Sequence, residues 1–379
     1  MDAFIIDACR TPRGRRKGGL AGVHPIDLCT KPMHAIVERT GIDVAKIEDV
    51  IIGCVTETGE QGACIARASV LAAGWPIEIP GVSLNRFCGS GQTAVNLAAH
   101  AVASGAHDFV YAGGVESMSR CPMGADMGAL PESLTGRYDL IPQGLSAEMI
   151  AAQWGFDRRQ LDEFALESQR RAWRAIQEKR FQKSIIPVDV TIADGTRKRI
   201  DTDEHPRPQS TLEGLMALQP SFKPDGVIHA GNSSGIVDGA GGVLLASKRA
   251  VQEMGVKPRA RIVDTVVIGS EPVIMLTGPI PAVHKILKRT GMKAADIDLV
   301  EVNEAFAPVP LITMQEFGIP HEKVNVNGGA IALGHPLGAT GAMLIGTLLD
   351  ELERTDKTVG LSTMCIGYGM GIATIIERV

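Results

Sequence analysis

The sequence lacks three features, each of which would define a class of protein. Its 38 Lys and Arg are outnumbered by 43 Asp and Glu, giving a formal net charge of -5, whereas a nucleic-acid partner requires a basic face. No apolar run approaches the roughly 18 residues that span a membrane. The seven cysteines form no metal-ligand spacing and no dense disulfide framework. We therefore expect no nucleic-acid partner, no membrane span, no metal, and a reducing, cytoplasmic compartment.

Aromatic residues are also scarce, at 4%, whereas 43 of the 379 residues are glycine, above the usual share of about 7%. The glycines cluster at 112–114, 231–242, 328–341 and 367–371. Such clusters indicate places where the backbone turns tightly or approaches a ligand closely. A chain of this length exceeds the size at which a single core stops growing, so two or more domains are expected.

An internal repeat predicts the architecture. Residues 41–53 align without gaps on residues 291–303, and both read as a helix end, a turn and a buried strand. The further strands expected are 82–85 and 109–112 in the first half, and 324–327 and 359–362 in the second. Strands alternate with helices in both halves, which predicts an α/β fold with pseudo-twofold symmetry.

The composition changes between the two halves. Residues 119–235 begin with an irregular stretch rich in Met and Pro and continue with a charged amphipathic helix from about 147 to 180. We interpret this segment as an inserted loop domain. The expected N-terminal half then covers 1–250, with its core at 1–118 and 236–250, and the C-terminal half covers 258–379.

A cysteine stands at the first strand-to-helix junction that is rich in small residues. The segment 85–91 reads NRFCGSG, which places Cys88 just before a helix. The positive end of a helix lowers the pKa of a thiol from about 8.5, and its free N–H groups can hold an oxyanion. Read alone, the segment fits a buried structural cysteine equally well.

The corresponding junction of the second half carries a histidine. Residues 328–341 read GGAIALGHPLGATG, and symmetry is expected to bring His335 close to Cys88. Cys365 follows the last strand of this half, in CIGYGMG, and supplies a second thiol. A nucleophilic cysteine paired with an acid/base cysteine is chemically reasonable, because a thiol both gives and takes a proton near working pH. The other cysteines have no such glycine surroundings and are expected to pack.

Four motifs in this order resemble those of the thiolase family: NRFCGSG at 85–91, NEAF at 303–306, GHP at 334–336 and the Cys-x-Gly-x-Gly that begins at Cys365. The resemblance extends from residue 10 to the terminal glycine motif. It implies the thiolase fold, in which two similar βαβαβαββ halves form a five-layered αβαβα core with an inserted loop domain. It also implies Claisen-type acyl transfer on coenzyme A thioesters, with coenzyme A as co-substrate and no permanently bound cofactor.

Matched motif by motif, the resemblance assigns the catalytic roles. Cys88 is the expected nucleophile, His335 the group that deprotonates it, and Cys365 the acid/base thiol. Asn303 is expected to hold a water that forms one oxyanion hole together with His335. The backbone N–H groups of Cys88 and Gly367 are expected to form the other.

The resemblance also indicates how coenzyme A is bound. Residues 230–235 read AGNSSG, similar to the family's pantetheine-contact loop, with Ser234 at the matching hydroxyl. Arg207 stands where family members approach the adenine and phosphates, although a solvated surface arginine fits this position equally well. The expected coenzyme A contacts are Arg207, Ala230, Ser234, Ala305 and Phe306.

Departures from the family pattern favour a degradative enzyme. Biosynthetic acetoacetyl-CoA thiolases have His-Met-Gly where this chain has PQG at 142–144, and the run 142–148 resembles degradative 3-ketoacyl-CoA thiolases. Met123 and Met127 are expected to line an adaptable acyl pocket. Tyr368 occupies a spacer position that is often small, where it either narrows this pocket or packs.

We therefore expect thiolytic cleavage of a 3-ketoacyl-CoA by coenzyme A to acetyl-CoA and a shortened acyl-CoA, as in fatty-acid β-oxidation. The alternative is a biosynthetic acetyl-CoA acetyltransferase making acetoacetyl-CoA, and a more remote one is a non-catalytic acyl-CoA carrier. A condensing synthase with a single cysteine is disfavoured by Cys365. The family resemblance implies a homodimer or homotetramer with contacts in 119–146, and the basic run 13–17 reads as a charged loop at an interface.

Overall fold

The computed structural model describes residues 2–191, 195–255 and 257–379. The first half contains β1 (Ala3–Arg10), β2 (Gly14–Arg15), α1 (Pro25–Thr40), β3 (Asp49–Gly53), α2 (Ile65–Ala72), β4 (Val82–Leu84), α3 (Ser90–Ala103) and β5 (Phe109–Ser117). The inserted segment contains α4 (Glu132–Thr135), α5 (Gln143–Trp154), α6 (Arg158–Gln177), β6 (Val188–Thr191), β7 (Arg197–Ile200) and α7 (Leu212–Met216), after which β8 (Val237–Ser247) and α8 (Lys248–Met254) return to the first half. The second half contains β9 (Ala260–Gly269), α9 (Pro279–Thr290), β10 (Leu299–Val302), α10 (Pro308–Phe317), α11 (Ala330–Leu333), α12 (Leu337–Arg354), β11 (Val359–Ile366) and β12 (Met370–Arg378).

The strand orders of the two halves correspond, except that the second half has no counterpart of β4. In the first half the order is β4-β3-β5-β8-β1, and in the second it is β10-β11-β12-β9. In each, a parallel pair (β3 with β5, β10 with β11) is followed by antiparallel neighbours. A short antiparallel ladder, in which Phe4 faces Arg261 and Ile5 faces Ala260, joins β1 to β9. The pseudo-twofold symmetry expected from the repeat is therefore confirmed.

The repeat also holds in local detail. The helices α1 and α9 end at Gly41 and Gly291, whose φ angles of 65° and 72° lie in the left-handed region. Glycine adopts this conformation without the steric cost that other residues incur. A short 3₁₀ turn follows in both halves, and the buried strands β3 and β10 come next.

One predicted strand is absent. Residues 324–327 form only an isolated bridge, from Val324 to Val300. Asn325 has a φ of 46°, which breaks the extended conformation. Its side chain bonds both backbone groups of Val302, accepting from N–H at 2.8 Å and donating to C=O at 2.8 Å. One amide side chain thus replaces the strand that β4 supplies in the first half.

The helices and sheets form the five expected layers. Helices α1 and α2 cover the outer face of the first sheet, α9 and α10 cover that of the second, and α3 and α12 lie between the sheets. This inner layer brings the backbones of the two halves into contact. A side chain at Gly114 on β5 would collide with the carbonyl of Gly338, and one at Gly341 would collide with the backbone of Gln92. Close approach therefore explains several of the clustered glycines.

The inserted segment differs from its prediction in one respect. The single helix expected from about 147 to 180 is two helices, because the chain turns at Gly155 with a φ of 73° and restarts at a capping box between Asp157 and Gln160. The segment is tied to β1 by a buried bidentate ion pair, Arg10 to Asp203, at 2.7 and 2.8 Å. Within the described ranges, no helix is long and apolar enough to cross a membrane.

Candidate active site

Cys88 lies in a tight turn between β4 and α3. The residue before it, Phe87, has a φ of 43°, a conformation uncommon for a residue with a bulky side chain. Ser90 stabilises the turn, because its hydroxyl accepts from the Arg86 N–H at 2.8 Å and donates to the Phe87 carbonyl at 2.7 Å. Cys88 is therefore held immediately before the first turn of α3, as the sequence predicts.

The surroundings of Cys88 are apolar. Met118, Leu337 and Ile366 pack in the same buried cluster. Burial raises the pKa of the Cys88 thiol to about 12, and the charge of Glu116 adds to this effect, whereas its own backbone N–H and the Gln143 side chain oppose it. The resting group is thus a neutral thiol, which needs a base before it can act as a nucleophile.

Cys365 is fully buried at the end of β11. Burial raises the pKa of its thiol, and a thiolate on Cys88 would raise it further. Direct packing joins the two segments, because a side chain at Gly89 would collide with Ile366, the residue that follows Cys365. The two halves therefore meet at their cysteines.

His335 lies between Gly334, with a φ of 94°, and the start of α12. Its Nδ1 is 2.6 Å from the Thr340 hydroxyl, which donates its own hydrogen to the Pro336 carbonyl at 2.9 Å. Because that hydroxyl has only one hydrogen, Thr340 accepts from Nδ1–H. The proton is thus on Nδ1, and the unprotonated Nε2 accepts from the Asn303 amide nitrogen at 3.3 Å.

The imidazole of His335 is held in its neutral form. Burial lowers its pKa to about 3, and the positive charge of Arg13 contributes to the shift. Desolvation and a nearby cation both disfavour imidazolium. His335 is consequently a base with an available nitrogen at neutral pH.

Asn303 follows β10, and its backbone N–H donates to the Thr363 carbonyl at 3.1 Å. Its Nδ2 faces His335, whereas its Oδ1 has no hydrogen-bond partner among the described residues. The next residue, Glu304, is part of a separate buried network and accepts from Ser168 at 2.7 Å and Asn325 at 2.8 Å. Of the two polar residues in this motif, only Asn303 contacts His335.

Gly367 faces a mixed wall of aromatic and amide groups. A Cβ at this position would lie 3.3 Å from the Gln143 amide nitrogen and 3.5 Å from the Phe87 ring. Tyr368 packs edge-to-face on Phe87, with ring centroids 5.1 Å apart. The sequence leaves two alternatives for Tyr368, narrowing the acyl pocket or packing. The structure shows that Tyr368 packs, close to the segments that hold the two cysteines.

Glu116 on β5 was missed in the sequence. Its buried carboxylate accepts from the backbone N–H groups of Val55, Thr56 and Gly338 at 2.9, 3.1 and 2.9 Å, and from the Gln61 amide at 2.7 Å. It thus ties the loop after β3 to the first turn of α12, close to His335. A single carboxylate within an otherwise apolar strand is the signal that could have revealed it.

Four of the five expected coenzyme A contacts lie together. The Ser234 N–H donates to the Ala305 carbonyl at 2.9 Å, and Ser233, its neighbour, forms an isolated bridge with Phe306. Ala305 and Phe306 are buried, and Ala230 begins the same loop. Arg207 is exposed on the neighbouring segment, where its backbone N–H donates to Gln169 at 2.8 Å.

Burial distinguishes the methionines of this region and corrects the expectation for Arg13. Met123 and Met127 are 60% and 58% exposed, and Met118 is the methionine that packs with Cys88. Arg13 is only 3% exposed, so it is not part of a charged surface loop; residues 15–17 of the same run are exposed. Tertiary packing over β1 and β2 decides this, and the local sequence does not encode it.

A buried cysteine in each half of an α/β core and a neutral, buried histidine at the start of α12 are typical of one class: acyltransferases that use cysteine chemistry. The chain belongs to the thiolase family. A family model described as "Thiolase, N-terminal domain" matches residues 3–249, and one described as "Thiolase, C-terminal domain" matches residues 256–378. Thiolases are acyltransferases with coenzyme A as co-substrate.

Named relatives and solved structures cover the whole chain. A beta-ketoadipyl-CoA thiolase of Acinetobacter baylyi is 44% identical over 100% of this chain and 99% of its own. A steroid 3-ketoacyl-CoA thiolase of Mycobacterium tuberculosis is 45% identical over 100% of this chain and 94% of its own. Human mitochondrial 3-ketoacyl-CoA thiolase and the Bacillus anthracis acetyl-CoA acetyltransferase both superpose with a TM-score of 0.93, at 37% and 35% identity, over 100% of this chain and 99% of theirs.

Proposed function

We propose that this chain cleaves a 3-ketoacyl-CoA with coenzyme A to give acetyl-CoA and an acyl-CoA two carbons shorter. One observation carries the proposal: the segments that hold Cys88 and Cys365 come from opposite halves and pack directly on each other, because a side chain at Gly89 would collide with Ile366. His335, neutral and with Nε2 available, supplies the base of the same site. One thiol then serves as nucleophile and the other as acid and base.

The first half-reaction breaks the carbon-carbon bond. His335 Nε2 takes the proton of Cys88, and the thiolate attacks the 3-keto carbon of the substrate. The bond between C2 and C3 breaks, its electron pair stays on C2 as the enolate of acetyl-CoA, and Cys365 donates its proton to C2. Acetyl-CoA leaves, and the shortened acyl group remains as a thioester on Cys88.

The second half-reaction transfers the acyl group to coenzyme A. The Cys365 thiolate takes the proton of the incoming coenzyme A thiol, whose sulfur attacks the thioester. The acyl-CoA leaves, and the Cys88 thiolate regains its proton from His335. Both cysteines and the imidazole return to their starting protonation states, so the cycle needs no oxidant or metal.

Two sets of donors would stabilise the oxyanions. We propose that the backbone N–H groups of Cys88 and Gly367 hold the oxygen of the group bound to Cys88. His335, protonated once it has taken the Cys88 proton, and a water on Asn303 hold the enolate oxygen. The enolate is the least stable species on the path, so donors fixed before reaction contribute most there.

Coenzyme A would bind beside the loop 230–235. The hydrogen bond from Ser234 to Ala305, together with the buried Phe306, supports a rigid pantetheine site. The exposed guanidinium of Arg207 is free to approach the adenine or the phosphates. These contacts position the thioester and take no part in bond breaking.

A degradative role fits the pocket wall better than synthesis of acetoacetyl-CoA. PQG at 142–144 stands where biosynthetic relatives contact a short substrate with His-Met-Gly, and Gln143 lies next to Gly367, beside the Phe87–Tyr368 pair. We propose an acyl chain longer than that of acetoacetyl-CoA, as in β-oxidation. Relatives named for beta-ketoadipyl-CoA and steroid substrates are consistent with a degradative use of this pocket.

We propose a cytoplasmic homodimer or homotetramer built from two thiolase halves, 1–250 and 258–379, with the insertion at 119–235. The edge strand β4 supports the dimer, because Val82 on it is 46% exposed and Ile77 next to it is 71% exposed. Apolar residues at an unpaired sheet edge favour pairing with a second copy. The exposed Met123 and Met127 in 119–146 support further contacts in a tetramer.

The experiment is a comparison of thiolysis rates. Acetoacetyl-CoA, longer straight-chain 3-ketoacyl-CoAs and 3-ketoadipyl-CoA are each supplied with coenzyme A, and acetyl-CoA is quantified. We expect one acetyl-CoA per substrate consumed and a higher kcat/KM for a substrate longer than C4. A strong preference for acetoacetyl-CoA would favour the biosynthetic alternative, and binding without cleavage of any substrate would favour the acyl-CoA carrier.

A further inference from the structure

A second buried group close to His335 has no part in the reaction steps above. Arg13 lies between β1 and β2, and its side chain is 3% exposed. Its Nε and Nη1 have no hydrogen-bond partner among the described residues. Burying the N–H groups of a guanidinium without partners is unfavourable by several kcal/mol, so these two nitrogens need a function or a bound water to explain them.

The charge of Arg13 is only partly compensated. Asp203 and Glu301 are the carboxylates whose charges act on it, and Arg10 opposes them as a second cation. Asp203 is already engaged with Arg10 by two hydrogen bonds. Burial, followed by the charge of Glu304, raises the pKa of Glu301 and so favours its neutral form. The positive charge of Arg13 therefore acts on its other neighbours.

Arg13 and Asn303 line the same small cavity. The space measures about 10 Å³ and is also lined by Glu301, Asn303, Thr340 and Thr347, at the lower limit for one water molecule. Asn303 lines this cavity, and its Oδ1 likewise has no hydrogen-bond partner among the described residues. Two N–H groups of Arg13 and the amide oxygen of Asn303 thus lack partners, and both residues line a space for a single water molecule.

We propose that Arg13 is a positioning residue that holds a buried water against Asn303 and so orients the Asn303 amide toward His335. The water accepts from the guanidinium and donates to Asn303 Oδ1. This bond fixes the amide with Nδ2 facing His335 Nε2, the orientation required by the proton on Nδ1. The cation of Arg13 acts through space on the same imidazole.

Other titratable groups near His335 do not duplicate this effect. They are Glu301 on β10, Glu116 on β5, His205 next to Gly235, and the thiols of Cys88 and Cys365. Burial lowers the pKa of His205, which is thus neutral at working pH. Of the charged groups in the described chain, Arg13 is the one that contributes to the low pKa of His335.

The kinetic experiment on this inference rests on the proposed function, whereas the structural experiment does not. R13M removes the charge and keeps a stem of similar length, R13K keeps a charge, and R16M removes an exposed arginine of the same segment as a matched control. Replacing an unpaired buried charge with an apolar chain leaves stability unchanged or raises it. We expect R13M to fold with an unchanged or higher Tm.

The pH dependence of kcat/KM separates an electrostatic role from a structural one. Without the cation the imidazolium of His335 is less disfavoured, its pKa rises, and the acid limb moves to higher pH by about one unit or more. R13K and R16M should keep the wild-type limb, and KM should change little because Arg13 is away from the substrate. An R13M limb that coincides with that of wild type would overturn the proposal, as would failure of both R13M and R13Q to fold.

A crystal structure of the wild-type chain tests the water independently of any reaction. We expect an ordered water within hydrogen-bond distance of both the Arg13 guanidinium and Asn303 Oδ1, and its loss in R13M. A guanidinium paired directly with a carboxylate and an empty cavity would refute the inference. Because this arm needs no substrate, its outcome is distinct from failure of the wild type to cleave 3-ketoacyl-CoA.

Discussion

The hydrogen bond from His335 to Thr340 offers a direct test of how the base is set. Thr340 accepts from Nδ1–H at 2.6 Å while donating to the Pro336 carbonyl at 2.9 Å. T340V has nearly the same shape but no acceptor, so a buried N–H loses its partner. Such a loss is unfavourable by about 1–3 kcal/mol. If the whole of this free-energy loss is added to the activation free energy, kcat decreases by between about 5-fold and 150-fold.

The matched control is T340S, which keeps the hydroxyl and loses only a methyl group. We expect T340S to retain most of the wild-type kcat and T340V to lose it, with KM little changed in either, because Thr340 is buried and bonded to His335 and Pro336. The assay is steady-state thiolysis of a 3-ketoacyl-CoA, accompanied by thermal unfolding of each variant. A T340V enzyme with kcat within about twofold of wild type would refute the tautomer argument.

Three further predictions concern the thiols and one buried ion pair. C88S should show no acyl adduct by mass spectrometry after exposure to acetyl-CoA, because a hydroxyl is far harder to ionise than a thiol; an adduct elsewhere in C88S would contradict the assignment. C365A should still acquire an acyl group slowly but should lose carbon-carbon cleavage, with C121S as the control thiol, and equal loss of both activities would count against the division of roles. D203N should lower the unfolding free energy by about 3–5 kcal/mol, because it leaves the buried Arg10 unpaired. Although burial alone would raise the pKa of Asp203, the charge and hydrogen bonds of Arg10 lower it, so the stabilisation is present above the unfolded pKa of about 4, and the deficit of D203N in chemical denaturation should shrink as pH falls below that value.

The architecture was predictable because it is repeated. Because 41–53 matches 291–303, two separate stretches of the sequence predict the same pattern of strand, helix and glycine. A wrong prediction from a chance pattern is rarely repeated in both halves. The exception is 324–327, where an amide side chain, Asn325, satisfies the backbone of Val302 and removes the need for a strand. A side chain that takes the place of a strand's backbone hydrogen bonds is a feature of the tertiary structure. The alternation of apolar residues in the sequence does not reveal it.

The predicted site residues also come together, although their roles stay predictions. The segments of Cys88 and Cys365 pack on each other, and Asn303 contacts His335. These positions were accessible because each is marked by local features, such as a glycine-flanked strand end or a proline that follows. The junctions are equivalent by the pseudo-twofold axis, so the meeting of the halves follows from the repeat.

The residues that were missed are those whose significance depends on burial. Arg13 belongs to a basic run whose other members are exposed, and only packing distinguishes it. Glu116 accepts from the backbone N–H of Gly338, which is far away in the sequence. Thr340 bonds the ring of His335, about one helical turn before it. Local sequence describes what a side chain can donate or accept, whereas its partners depend on the assembled core.

The central claim is that the shortened acyl group passes through a thioester on Cys88. The direct measurement is rapid-quench mass spectrometry of the wild-type chain mixed with a 3-ketoacyl-CoA in the absence of free coenzyme A. The account predicts one acetyl-CoA released per chain and one acyl adduct, located by peptide mapping on Cys88. Release of acetyl-CoA with Cys88 unmodified, or an adduct on Cys365 in its place, would contradict it.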